Sequence, residues 1–171
     1  MADQGRFASQ HVGELGERFV AQLLCNNGWV ILHHRWHCRW GEIDIIAQAP
    51  EPVNQLIFVE VKVRGARNWD QAGVLSITPQ KQQKLVLAAQ TFLSEEPGFE
   101  EHDCRFDVAL VLYEKKPRES DSHQSQGLGL TTLQASLDQD LAATPLPQVG
   151  RVDEELRLFL HHYIQGAFTA E

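Results

Sequence analysis

The sequence predicts an α/β fold, a mixed β-sheet flanked by helices in the order αβββαβ with a further C-terminal strand. Three observations carry that expectation. A run with helical apolar spacing comes first, at residues 10–27. Three strand-like runs then follow one another through short turns. A capped amphipathic segment separates the third of these from a fourth, which is the pattern of a crossover between parallel neighbours.

Each element has its own reason. In the first helix Val12, Leu15, Phe19, Leu23 and Leu24 recur at helical spacing, and Asn26-Asn27-Gly28 supplies the stop. Residues 29–36 (WVILHHRW) read as a strand, followed by a polar bend through Cys38-Arg39-Trp40-Gly41. Residues 42–47 (EIDIIA) form the second strand, and Pro50, Pro52 and Asn54 make the next turn. Residues 56–64 (LIFVEVKVR) are dense in β-branched side chains and give the strongest strand signal. A glycine-containing loop, 65–76, precedes the second helix. There Thr78 is the N-cap and Pro79 the first helical residue, with Leu85, Ala88, Ala89 and Phe92 as the apolar face. Residues 105–113 (RFDVALVLY) are the fourth strand. LRLFLHHYIQGAF, within 155–168, is expected to be a last strand and a short terminal turn.

The 171 residues suit a single domain, 1–171, with enough chain to bury a core. Within 117–150, 18 of 34 residues are Ser, Thr, Gln, Gly or Pro, so little core is expected there. That segment reads as a flexible insertion, with Leu133, Leu137 and Leu141 spaced for a short helix. No apolar run is long enough to span a membrane, and the N-terminus has no secretory pattern. Three widely spaced cysteines (Cys25, Cys38 and Cys104) argue against a disulfide scaffold, so a cytoplasmic location is expected. The net charge of −8 argues against a protein that coats nucleic acid indiscriminately. Between residues 29 and 92, however, seven basic residues outnumber five acidic ones. A nucleic-acid enzyme therefore stays open.

The chemistry-bearing residues lie in the second and third strands. Alternation along 56–64 puts Ile57, Val59, Val61 and Val63 on one face and Leu56, Phe58, Glu60, Lys62 and Arg64 on the other. Glu60 and Lys62 then point the same way, about 7 Å apart. In the second strand, alternation sets Ile43 and Ile45 against Glu42 and Asp44. An antiparallel pairing of the two strands brings Asp44 and Glu60 to one sheet face, near enough to share an ion. Two carboxylates suit Mg²⁺, or Mn²⁺ in its place, because such ions take oxygen ligands and keep several waters. The Val61 carbonyl lies between Glu60 and Lys62 and offers a further ligand. Lys62 is placed to orient a water and balance charge in phosphodiester hydrolysis. The motif E-V-K alone is ordinarily an exposed ion pair; Asp44 in the preceding strand is what raises it above that.

Gly16-Glu17, Gly41-Glu42-Ile43-Asp44-Ile45-Ile46-Ala47, Phe58-Val59-Glu60-Val61-Lys62, Arg105-Phe106-Asp107-Val108 and the final Gly166-Ala167-Phe168 occur in this order. In this they resemble the YraN-like family of predicted bacterial endonucleases, which in turn resemble Holliday-junction resolvases and the restriction-endonuclease-like fold. The resemblance implies a metal-dependent DNA endonuclease with a D…ExK site. Asp44, Glu60 and Lys62 then take metal-binding and catalytic roles, and Glu17 matches the helix acid that completes such sites. It also implies DNA as partner, branched or single-stranded, in repair or recombination, and a homodimer like related resolvases. Glu42 is expected at the rim as a partner for an arginine. Two features depart from the family pattern: the 117–150 insertion, and Arg35, which stands where an asparagine is common.

Lys81 and Lys84, three apart near the start of the second helix, are candidate phosphate contacts, as are Arg64 and Arg39. His33, His34, His37 and Cys38 lack the paired spacing of a structural zinc site. Asp107 is expected to be structural, paired with Arg105 or a helix end. The alternative function is a non-catalytic nucleic-acid-binding protein on the same fold, which needs no carboxylate cage aimed at phosphate.

Overall fold

Helix α1 (Ala2–Asn26) starts well before the expected residue 10 and stops where its sequence says it should. Asn27 Nδ2 donates to the Leu23 carbonyl at 2.7 Å, and Gly28 takes a φ of +85° that favours glycine. The structure, a computed structural model, describes residues 2–65, 77–115, 149–150 and 156–170. Among these, no helix is long and apolar enough to cross a membrane.

Strands β1 (Val30–Cys38), β2 (Gly41–Gln48) and β3 (Gln55–Gly65) form the expected antiparallel meander. Helix α2 (Pro79–Glu95) then crosses over to β4 (Asp103–Lys115), which runs parallel to β3 in unbroken register from Gln55–Asp103 to Gly65–Tyr113. Thr78 caps α2, its Oγ1 accepting from Lys81 N at 3.3 Å. Two further strands, β5 (Val149–Gly150) and β6 (Leu156–Phe168), complete a mixed sheet of order β1-β2-β3-β4-β6-β5. β3 and β4 sit at its centre with both faces covered, which explains their nearly continuous apolar runs. The mixed sheet and its two helices agree with the restriction-endonuclease-like arrangement.

The core has two halves. On one face α1 packs Leu15, Phe19, Val20, Leu23 and Leu24 against Ile57, Val59, Ala109 and Val111. On the other, α2 packs Leu85, Ala88, Ala89 and Phe92 against Leu56, Phe58, Phe106 and Val108. β3 alternates between the two as its sequence requires. β2 does not. Ile43 joins Ile46 in the α2 core, whereas Ile45 joins Ala47 in the α1 core. The expectation that Ile43 and Ile45 share a face is therefore corrected, and the break in alternation falls at Asp44.

Near the C-terminus the expected turn is instead strand, continuous to Phe168. Its register against β4 shifts between Phe106 and Val108, and Gly166 takes a φ of +58° within that irregularity. Asp107, 1% exposed, sits opposite the shift. Its carboxylate accepts from Arg105 at 2.8 and 2.9 Å, from Tyr163 Oη at 2.9 Å and from Gly166 N at 2.9 Å. Phe106 stacks on Phe168 at 4.7 Å. The two terminal sequence fragments, around Asp107 and Gly166, are thus one structural joint, and the structural reading of Asp107 holds.

The loop 66–76 and residues 116–148 lie outside the described residues, and with them most of the expected insertion, including Leu133, Leu137 and Leu141. Its last two residues, Val149 and Gly150, pair with Phe159 and Leu158 of β6.

Candidate functional site

β2 and β3 stay paired only from Gln48–Leu56 to Ile45–Val59. At the next rung β2 leaves its neighbour. β1 bends at the same level. Arg35, which lies opposite Asp44 between the pairs His34–Ile45 and Trp36–Ile43, has a φ of 55°. As a result two successive residues of β1, His34 and Arg35, both reach Glu17 of α1, while His33 and Trp36 pack on Phe92 of α2. A regular strand would send neighbours to opposite faces. A left-handed backbone at a residue with a Cβ costs on the order of 1 kcal/mol, and asparagine tolerates it best. The asparagine that the resemblance sets at this position would adopt such a backbone more readily than Arg35.

The opening is filled by Asp44. Its Oδ2 accepts from Val61 N at 2.7 Å, taking over the ladder bond that β2 no longer makes. The N–H and C=O of a strand residue leave by the same edge, so the Val61 carbonyl faces this opening too. Burial first, then the negative charge of Glu60, push the Asp44 carboxyl up to about 7, against the lowering effect of the Val61 hydrogen bond.

Glu17 arrives from α1. Gly16 makes this approach possible, because a Cβ there would overlap Val63 Cγ2 of β3. Glu17 is 12% exposed, and burial raises its pKa, with Arg35 opposing. Among the described residues its Oε2 has no hydrogen-bond partner; the His34 ring and the Arg35 guanidinium lie at 3.5 and 3.6 Å. Glu17, Glu42 and Asp44 each place an oxygen within 4.8 Å of the other two. Glu42 also meets its expected arginine, Arg35 Nε at 3.2 Å, and His37 Nε2 at 2.5 Å. Glu42 thus belongs to the centre and not only to its rim.

Glu60 is outside that triangle but close enough to disfavour charge on both Asp44 and Glu17. Its Oε2 lies 2.9 Å from Lys81 Nζ, an ion pair. Lys62 is half-buried; burial lowers its pKa and the nearby Glu60 offsets this. The structure thus gathers Glu17, Asp44, Glu60, Lys62, Val61 and Lys81 around one opening. The other candidate phosphate contacts lie apart from these ion pairs. Lys84 is exposed, Arg64 donates to the carbonyl of Val63 at 3.0 Å, and Arg39 lies over the Trp40 ring at 4.7 Å.

Sequence reasoning missed Glu14, whose Oε1 is 2.6 Å from Arg35, and the use of His34 and Arg35 on one face. The signal that was present is the arginine in place of asparagine.

Comparison with known proteins agrees with the motifs. Residues 16–111 match the model of the uncharacterised protein family UPF0102, a span that opens on Gly16 and takes in Asp44, Glu60, Lys62 and Asp107. A UPF0102 protein of Acaryochloris marina is 44% identical over 167 residues, covering 92% of this chain and 90% of its own length. One from Trichodesmium erythraeum is 37% identical over 181 residues, covering 98% of this chain and 94% of its own. Both shares take the match through residues 117–150. A third, from Thermosynechococcus vestitus, is 52% identical over 106 residues, covering 62% of this chain and 84% of its own. The chain belongs to the UPF0102 family, the YraN-like proteins its motifs resemble.

Proposed function

We propose that this protein is a metal-dependent DNA endonuclease that hydrolyses phosphodiesters of branched or single-stranded DNA in repair or recombination. One observation carries the reading. Acids from three elements, Glu17 of α1, Glu42 and Asp44 of β2 and Glu60 of β3, converge where β2 leaves β3, with Lys62 beside them. Such a cluster is unfavourable by itself. Like charges repel in a partly desolvated site, and among the described residues Glu17 Oε2 is buried without a hydrogen bond, while Glu60 Oε2 is met by the Lys81 ammonium at 2.9 Å. An all-oxygen set with an unbonded acceptor at Glu17 fits a hard divalent cation.

Asp44 and Glu60, with the Val61 carbonyl, would hold Mg²⁺ or Mn²⁺. A bound ion of this kind supplies Lewis acidity toward a phosphate oxygen and a water of lowered pKa. Lys62 orients the attacking water and balances the charge that builds on the phosphate. Lys81 neutralises Glu60 and is close enough to meet a backbone phosphate, with Lys84, Arg64 and Arg39 as outlying contacts. Glu17 completes the set from the helix side.

The test is cleavage of labelled four-way junction, flap, single-stranded and duplex DNA with Mg²⁺, with Mn²⁺ and with chelator. Chelator-sensitive cleavage by the wild type, lost in Asp44→Asn, is expected. Absence of metal-dependent cleavage on every substrate, or full activity in Asp44→Asn, contradicts the reading.

A further inference from the structure

We propose that Arg35 is a built-in cation that occupies the Glu17–Glu42 side of the acidic centre and limits the centre to one divalent ion, held at Asp44 and Glu60. The inference rests on the metal reading above and sharpens it.

Glu17, Glu42 and Asp44 approach within 4.8 Å, a spacing that by oxygen count suits a cation of its own. Paired metal ions in phosphodiester-cleaving sites stand about 3.5–4 Å apart, so a second ion here is the natural alternative. The guanidinium already answers these charges. Arg35 Nε lies 3.2 Å from Glu42 Oε1 and 3.6 Å from Glu17 Oε2, and Nη1 lies 2.6 Å from Glu14 Oε1. A guanidinium keeps its charge, and its planar fork spans several carboxylates at once.

The backbone points the same way. The φ of 55° at Arg35 is what turns its side chain onto the α1 face beside His34. A strained backbone of this kind persists where the surroundings fix it, and here three glutamates do so. A divalent ion on the Glu17–Glu42 side would meet the guanidinium at a few ångströms, and like-charge repulsion opposes it. The Asp44–Glu60 side has no such occupant on β1. There Lys81 reaches Glu60 Oε2 at 2.9 Å from α2 on a flexible stem, and Lys62 stands near Glu60 on β3.

The experiment counts bound Mn²⁺ by calorimetry and by the electron paramagnetic resonance signal of the free ion. It uses the full chain, with Arg35→Asn and Arg35→Gly as two variants that both accept a left-handed backbone. Circular dichroism checks that each is folded. One ion is expected for the wild type and two for a folded Arg35→Asn or Arg35→Gly, while Arg35→Lys, which keeps a charge, stays at one. Two ions on the wild type, or one on the folded neutral variants at unchanged affinity, overturns the role of Arg35. Failure of the metal reading looks different: no ion on wild type or variants, or wild-type binding untouched by Asp44→Asn.

Discussion

Asp44 is the residue on which sequence, fold and chemistry meet, and its raised pKa has a measurable consequence. For an acid whose folded pKa lies above its unfolded value, the stability advantage is complete below the unfolded pKa and is lost as pH rises through the folded one. Asp44 moves from 3.8 to about 7, first because it is buried and then because Glu60 is charged. Metal-free protein should therefore lose stability between pH 5 and 8, by on the order of a few kcal/mol from this group. Asp44→Asn should lose less over the same range, and Mn²⁺ should restore wild-type stability most at pH 8. Thermal denaturation at the two pH values measures this; an equal loss in both proteins contradicts it. The identity of this residue was legible in the sequence, but its placement was not. Period-two alternation put Asp44 on a regular sheet face, whereas the backbone twists at Arg35 and Asp44 together. Only the arginine in place of asparagine marked the rung beforehand.

At the scale of elements, α1 and β3 approach closely because Gly16 has no side chain. Gly13, one turn earlier, has nothing among the described residues within 4 Å of where a Cβ would stand. The two glycines should respond oppositely to the same change. Gly13→Ala should stabilise by about 0.5–1 kcal/mol through helix propensity. Gly16→Ala gains the same propensity but forces Val63 aside, so it should destabilise by about 1–2 kcal/mol. Urea denaturation of both variants decides it, and a Gly16→Ala as stable as Gly13→Ala would show that the close approach is not required. The joint between β4 and β6 makes a second test. Asp107→Ala leaves Arg105, Tyr163 and Gly166 N without their shared acceptor and should cost about 3–5 kcal/mol. A loss under 1 kcal/mol would show that other groups close the joint. The element order, the stop of α1, the start of α2 and the parallel β3–β4 pair were legible from periodicity, capping and turn residues. The bulge opposite Asp107 was not, because Gly166-Ala167-Phe168 reads locally as a turn. A glycine at positive φ within a strand is set by a partner 59 residues earlier in the chain.

For the whole molecule, the acidic net charge of −8 is reconciled with the proposed nucleic-acid substrate by where the charge lies. The chain from residue 29 to 92 carries most of the centre and a small basic excess, and two of its five acids, Glu42 and Glu60, are paired internally with Arg35, His37 and Lys81. What distinguishes a nuclease from a binding module on this fold is whether Lys62 acts on the reaction or only on affinity. The most direct measurement compares Lys62→Ala with wild type on the best-cleaved DNA, reading cleavage and binding side by side. Losing one preorganised stabilising group costs about 10²–10³-fold in rate, while one phosphate contact among several carries a small share of affinity. Cleavage reduced on that scale with binding nearly unchanged is the predicted result. Cleavage unaffected by the substitution, or a loss of binding as large as the loss of cleavage, would contradict it.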